Sequence, residues 1–534
     1  MIFRFIKTIK FSDNLSSFYI FTSLIFIFFY LFNRLYYSQW DTLGFYILSL
    51  KPLINQKIYI DYNFQHAPYL NFFFELLNLF NINSFYFLLI LGIFQSLFAG
   101  YLSVLFAKQI IKSLFLNKIC FLVTIFFIGN EYFYFFWDCY VPLIGIYGLY
   151  LVFFEKKNIL GTFLLSITWF LKQTFGITFF LIFIFLSLAN FIHSKKKYYY
   201  VNIFIFFLFL IFHLTIIYLF SDLNEFYNKN FLLTFRFAST YEKTSIFDYL
   251  FGIFFLLPDV NTFARLKYNL FETLSLNQIS FYLLFRMPVF ILNIFLLIRI
   301  KDFFQKYYQA FLMLSLSCIL PLPLLGRGYW GVIYFLPVLT LCFLFYSKKN
   351  RIFFLNISYI NKIVFVYLFI IFTYLILINL KKISFDFNRS ENVIHSKSNF
   401  FLNINKTDFL KSDFEGIKDM YKFIDDNKLN NIFIIDTKSV AIMVLLPQVP
   451  VNRFYLGISS GDHYFDWNAN FLDSNNTNLE VIVKDFEIKS PSYVLYNKME
   501  YLVFKNFLPK DLLKYYSIKY SNDNYVLLKK LINN

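Results

Sequence analysis

Ser194-Lys195-Lys196-Lys197, two tyrosines, and then Tyr200-Val-Asn-Ile-Phe-Ile-Phe-Phe-Leu-Phe-Leu-Ile-Phe-His-Leu-Thr-Ile-Ile-Tyr-Leu-Phe220 decide the fold class. The apolar run holds no Asp, Glu, Lys or Arg. At about twenty residues it is long enough, as a helix, to cross the roughly 30 Å of a bilayer's hydrocarbon. Backbone polar groups in lipid must be satisfied within the segment, so such a run spans as a helix. The lysines before it mark one side of the membrane.

The pattern recurs along the chain. Apolar stretches of about 17 to 22 residues begin near positions 18, 84, 118, 139, 158, 174, 200, 279, 307, 329 and 360. They predict a polytopic α-helical membrane protein of about 11 transmembrane helices. The count turns on the segment 158–171, which is short and interrupted by Lys172.

Composition agrees. With 534 residues, 59% hydrophobic, 24% aromatic and only 15% charged, the chain is not a string of soluble domains, in which about 25% of residues are charged. The 82 Phe and 42 Tyr are spread throughout and read as composition rather than as sites. Cys120, Cys139, Cys318 and Cys342 fall inside or at the edge of apolar runs and offer neither a disulfide framework nor metal-ligand spacing. There is no Walker-type glycine loop, GxGxxG or internal repeat.

The net charge of +17 would suit nucleic acid, but its placement assigns it to topology. With the N-terminus (Arg4, Lys7, Lys10) inside, the cytoplasmic connections carry Lys108, Lys112, Lys118; Lys156, Lys157; Lys195 to Lys197; Arg299, Lys301, Lys306; and Lys348, Lys349, Arg351, Lys362. That is 18 basic residues against Asp13, Glu155 and Asp302, whereas the other side before residue 381 has 11 of each sign. No small-residue cleavage site follows the first apolar run, which reads as a retained span.

Two outward loops are long, 37–83 and 221–278. The apolar stretch Ser245–Pro258 in the second is too short for a span and is expected to lie in the interface or re-enter. Residues 1–380 thus form the transmembrane domain. Residues 381–534 hold 20 basic and 18 acidic residues and read as a small extracytoplasmic soluble α/β domain. Glu415–Asn427 has helical apolar spacing at Ile417, Met420, Tyr421 and Ile424; Ile432–Ile435, Val481–Val483 and Tyr493–Leu495 read as strands.

The chemistry concentrates in the outward loops. The first carries Trp40-Asp41-Thr-Leu-Gly44, then Tyr59-Ile-Asp61-Tyr-Asn-Phe-Gln65-His66-Ala-Pro68. Asp41 stands just past span one, where partial desolvation strengthens a carboxylate as a base. Phe45–Leu53 and Leu70–Phe80 have the pattern of helices lying flat on the bilayer. The loop after span three holds Glu131 and Asp138, Phe170-Leu-Lys172-Gln173-Thr174-Phe-Gly176 forms a turn with one lysine in apolar sequence, and Gly326-Arg327-Gly328-Tyr329-Trp330 leads to Tyr334 and Pro337. Each has a plainer reading: carboxylates capping helices at the interface, and a lysine that only snorkels.

These four segments resemble, in order and on the outward side, those of the GT-C superfamily of polyprenyl-phosphate-sugar-dependent glycosyltransferases, which includes protein O-mannosyltransferases and the lipid A aminoarabinose transferase. The resemblance implies a GT-C type membrane domain in a bacterial inner (plasma) membrane, and the odd number of spans places the C-terminal domain outside. It implies a lipid-phosphate-linked sugar donor, a glycan, lipid or protein acceptor, and no nucleic-acid partner. Asp41 takes the place of the family's catalytic base and Asp138 that of the second acidic group, with Glu131 in reserve. Asp61, Gln65 and His66 match the first-loop motif, Lys172 and Arg327 suit the carrier phosphate, and Tyr334 is in keeping with the last segment, although the family's histidine there is absent. A divalent metal is compatible with the family, but no ligand cluster calls for one. Two other classes fit the span count: an O-antigen-type polymerase, for which Arg236 and Arg265 are the candidates, or flippase; and a non-enzymatic membrane protein whose outer domain binds a partner.

Overall fold

The computed structural model describes residues 14–34, 69, 72, 73, 76, 80, 84–131, 137–227, 287–320, 335–350, 359, 361–373, 393–395, 401–403, 411–435, 456–458, 464–466, 486, 487, 490–498 and 512–531. Helices occupy the apolar stretches: α1 Asn14–Arg34, α2 Ser84–Ile110, α3 Leu114–Glu131, α4 Trp137–Phe153, α5 Asn158–Leu171, α6 Gln173–Ser194, α7 Tyr198–Phe220, a short α8 Leu223–Tyr227, α9 Met287–Ile298, α10 Lys306–Ile319 and α11 Phe335–Asn350, then α12 Asn361–Thr373. Among the described residues three helices, Ile90–Ile110, Phe175–Ser194 and Tyr198–Phe220, are long and apolar enough to cross a membrane by length and composition. Of Leu70–Phe80, Phe72, Phe73 and Leu76 are described as helical; Phe45–Leu53, Ser245–Pro258 and Val481–Val483 lie outside the described residues.

The chain divides into two compact units, the first Met1–Arg34, Leu88–His213 and Ala238–Ser384, the second Leu35–Phe87, Leu214–Phe237 and Phe385–Asn534. Within the first, α4, α5 and α6 run up, down and up against one another through small residues. A Cβ on Gly161 of α5 would meet the Gly148 carbonyl oxygen of α4 at 2.9 Å, and one on Gly148 would meet the Gly161 carbonyl oxygen at 3.0 Å. Lipid gives helices no hydrophobic reason to associate, so close backbone packing of this kind supplies the attraction. Aromatic edges hold α1 to α3, with Tyr19 and Phe121 at 4.8 Å and Phe26 and Phe126 at 5.8 Å between ring centroids.

Polar pairs pin the later helices. Gln309 of α10 donates through Nε2 to Asn190 Oδ1 of α6 at 3.1 Å, and Asn190 Nδ2 donates to the Leu186 carbonyl at 2.8 Å. The Tyr308 hydroxyl donates to the Leu296 carbonyl of α9 at 2.7 Å, and Ser315 Oγ donates to Asn293 Oδ1. Interhelical bonds of this type contribute about 0.6 kcal/mol each in lipid, so they set register more than they hold the bundle together. On α7 the outer residues are apolar and exposed, Phe204 at 60% and Ile211 at 61% among them. In water such a face would be a liability; against acyl chains it matches its solvent.

In the second unit, α13 Lys411–Asp426 has one apolar stripe, with Met420 and Ile424 buried. It accompanies a four-stranded sheet in the order β3-β6-β8-β7. β3 Ile432–Ile435 runs parallel to β6 Tyr493–Asn497, with Ile432 opposite Tyr493. β8 Tyr525–Lys530 is antiparallel to both β6 and β7 Tyr516–Ser521, with a register shift between Ile518 and Tyr520. Phe433, Ile434, Val494, Leu495 and Leu527 form its buried core. Two small antiparallel pairs complete the described strands, β1 Val393–His395 with β2 Phe401–Asn403, and β4 Leu456–Ile458 with β5 Tyr464–Asp466.

The helix and the strands at Ile432 and Tyr493 stand where the periodicity puts them. The β7–β8 hairpin is an addition. Asn522 makes its turn, its Oδ1 accepting the backbone N–H of Tyr525 at 2.8 Å and of Asn524 at 3.2 Å, an Asx-type turn in an Asn-Asp-Asn sequence. Burial pushes the Tyr516 phenol up to about 12, so it stays protonated as a donor to the Pro491 carbonyl at 2.7 Å.

Candidate functional site

Lys172 is the best-defined of the candidate residues. It is the single residue between α5 and α6, extended at φ −159 and ψ 112, and it caps both helices. Its N–H donates to the Thr168 carbonyl at 2.9 Å and its carbonyl accepts the Gly176 N–H at 3.0 Å. The chain turns this tightly because residue 176 is glycine. A Cβ there would lie 2.6 Å from the Trp169 Cα and 2.9 Å from its backbone nitrogen, so the first turn of α6 rests directly on the last turn of α5.

The corner fixes the lysine's surroundings. Leu171, Gln173 and Phe175 are buried, while Lys172 is half-buried. Its ammonium stands 5.8 Å from the centroid of the Phe175 ring. A cation over an aromatic face is attracted by about 0.5–1 kcal/mol at exposed sites and more when desolvated. The result is a positive charge held at one end of a helical hairpin on a backbone with little freedom to move it.

The acidic candidates of the next loop lie at the ends of α3 and α4. Glu131 is the last residue of α3 and Asp138 the second of α4. Two contacts set the level of Asp138. On the antiparallel side, Gly148 of α4 lies beside Leu165 of α5, and Gly161 beside Val152. On the parallel side, Gly145 of α4 lies against Phe179 of α6. Extended along the helices, both registers bring the start of α4, with Asp138, level with Lys172 at the same end of the bundle. Asp41, Asp61, Gln65, His66, Arg327 and Tyr334 lie outside the described residues.

One polar pair escapes sequence reasoning. Ser166 Oγ of α5 and His213 Nε2 of α7 are 3.0 Å apart, both buried. The rings of Phe163, Phe170 and Phe212 surround the imidazole at centroid distances of 5.5, 5.0 and 5.6 Å. The pair ties α7 to the helix that ends in Lys172. Its only signal in the sequence is a histidine inside an otherwise uncharged span. Among the described residues no group of three or more His, Cys, Asp or Glu could hold a metal ion.

No family model matches the chain, and no curated protein matches it. Among solved structures, it is similar to the archaeal oligosaccharyltransferase AglB from Archaeoglobus fulgidus, solved in complex with an inhibitory peptide and a dolichol-phosphate. The two share 12% identity at a TM-score of 0.44, over 94% of this chain and 72% of that one.

Proposed function

We propose that the chain is an inverting glycosyltransferase of the GT-C type, moving a sugar from a polyprenyl-phosphate carrier to an acceptor hydroxyl on the extracytoplasmic side of a bacterial inner membrane. In this reading residues 1–380 form the catalytic domain with about 11 spans, and residues 381–534 an outer α/β domain. The observation that carries it is the common level of Asp138 and Lys172 in the register of α4 and α6. By charge alternation that end of the bundle faces outward, the side on which the first loop holds Asp41.

The chemistry follows from the residue types. Asp41 removes the proton of the acceptor hydroxyl as its oxygen bonds to the anomeric carbon. The bond from that carbon to the phosphate oxygen breaks on the opposite face, configuration inverts, and polyprenyl phosphate departs. Phosphate is a competent leaving group, so the protein supplies the base, the alignment and cationic stabilisation of the departing charge. Lys172 and Arg327 provide the cations, Arg327 as a bidentate contact and Lys172 as a point charge. Asp138, Asp61, Gln65, His66 and Tyr334 orient the donor sugar and the acceptor.

Purified protein incubated with an isotope-labelled polyprenyl-phosphate sugar tests this directly. Transfer or slow hydrolysis with release of the sugar is the expected result. Neither reaction, with intact binding of an undecaprenyl diphosphate oligosaccharide, would replace the reading with an O-antigen-type polymerase or flippase.

A further inference from the structure

One end of the C-terminal sheet opens into a cleft of about 790 Å³. All four strands reach it. β3 and β6 begin there after Asn431 and Ser492, β8 ends there at Lys529 and Lys530, and β7 starts there just after Tyr515. The turn after α13 closes the rim with Lys428 and Asn430. Three lysines therefore line one cleft, and among the described lining residues there is no Asp or Glu. Lys530 Nζ donates to Ser490 Oγ, a neutral partner. This is a departure from a segment in which 20 basic and 18 acidic residues nearly balance.

The backbone marks the same place. Five non-glycine residues among those described have positive φ, and three of them, Lys428 at 49, Asn431 at 57 and Ser490 at 43, stand on or beside this cleft. Lys428 is the most telling. It follows α13 in a left-handed helix stop, with the Leu429 N–H bonded to the Ile424 carbonyl at 3.1 Å and its own to the Asp425 carbonyl at 3.0 Å. Glycine is the ordinary residue in such a stop. Lysine takes the same conformation after α4 and α6, at Lys156 and Lys195, so here the turn serves to set the Lys428 side chain on the rim of the cleft.

We propose that this cleft binds an anionic saccharide. The three lysines supply the charge. Asn431 Nδ2 donates to Ser492 Oγ at 3.2 Å, and that pair with the Asn430 carboxamide sets amide and hydroxyl groups, each able to donate and to accept, on the cleft wall, as a ligand rich in hydroxyls requires. Tyr515, 52% exposed, offers an aromatic face to a sugar ring. Phosphate and carboxylate sugars share this chemistry, and the test separates them. The proposal stands whether or not the chain transfers sugar, because binding is read without turnover.

Full-length protein in a neutral detergent is titrated calorimetrically with glucose 1-phosphate, glucuronic acid, glucose and inorganic phosphate. At least one anionic sugar is expected to bind more tightly than glucose and than inorganic phosphate, and the tighter of the two identifies the charged group. The Lys428→Gln, Lys529→Gln, Lys530→Gln triple variant should lose about tenfold or more in affinity, since each charge-assisted contact is lost. Lys428→Gly keeps a residue suited to the left-handed turn, so weaker binding in that variant, with an unchanged unfolding transition, excludes misfolding as the cause. Affinity that is unchanged in the triple variant, or inorganic phosphate binding as tightly as either sugar, overturns the proposal. Transfer activity measured on the same samples distinguishes failure of the cleft from failure of the transferase reading.

Discussion

Gly145 of α4 packs so closely on Phe179 of α6 that a Cβ on the glycine would lie 2.2 Å from the ring's Cδ2. The two helices are separated in sequence by one hairpin arm, so they run in the same direction. Seven residues back from this contact stand Asp138 on one helix and Lys172 at the start of the other. The same count back along two parallel helices puts the first turn of α4, with Asp138, and the Lys172 cap at the same end of the hairpin. A buried glycine of α4 thus sets the register of the helices that carry Asp138 and Lys172.

Gly145→Leu should break that register. Forcing a side chain against the buried Phe179 ring is overpacking, which costs about 1–3 kcal/mol in a packed core. The expected outcome is a lowered unfolding midpoint of the detergent-solubilised protein together with weakened donor binding. Wild-type thermal stability in this variant would show that α4 and α6 do not approach so closely.

Lys172→Ala and Arg327→Ala should each weaken binding of a polyprenyl-phosphate sugar, Arg327 more strongly, because a bidentate guanidinium is harder to replace than a single ammonium. For Lys172 the loss should include part of the hairpin's geometry, so Lys172→Arg, which restores the charge, is expected to recover most of the affinity. If both alanine variants keep wild-type donor affinity, the two side chains only reach for the aqueous boundary.

Much of the fold was legible because lipid simplifies the code. Long apolar runs such as Tyr198–Phe220 have few alternatives to a helix, and α7 lies where that run is. The Lys172 break was visible as a lone charge in apolar sequence, while its consequence, two helices sharing one cap, depends on Gly176 meeting Trp169 across the turn. The Ser166–His213 bond was not legible, since nothing in either span's periodicity says which faces meet. In the soluble domain, Ile432–Ile435 and Tyr493–Leu495 announce themselves as short apolar runs. The β7–β8 hairpin does not, because Tyr516–Ser521 is mostly exposed and its strand character comes from pairing with β8. The lysine-lined cleft was hidden for a similar reason: Lys428 and Lys530 are about a hundred residues apart and meet only once the sheet is assembled.

Topology yields a test independent of catalysis. In the proposed topology the basic residues of the inward connections put the N-terminus in the cytoplasm, and an odd number of spans would put Asn534 outside. A periplasm-dependent reporter fused after Asn534 should be active and a cytoplasm-dependent one silent. The reverse result would mean an even span count, and would put the cleft on the cytoplasmic side.

The catalytic base is the sharpest of these predictions. Asp41 follows the first span beside Trp40, with Tyr46 close by, and aromatic residues of this kind favour the headgroup level. In the proposed mechanism a carboxylate there would meet an acceptor hydroxyl from the water and a lipid-held sugar from the membrane. Asp41→Asn keeps the shape and some hydrogen bonding but removes the base, so turnover should fall by about 10²-fold or more, the usual range of a general base. Donor binding should survive, because the proposed mechanism assigns the phosphate to Lys172 and Arg327. Asp61→Asn and Asp138→Asn should each do less, since orienting a substrate costs less to lose than accepting its proton. The decisive measurement is a transfer assay of the three variants side by side at matched expression. Near-normal transfer by Asp41→Asn would remove it from the mechanism, and a collapse confined to Asp138→Asn would move the base to the start of α4, level with Lys172.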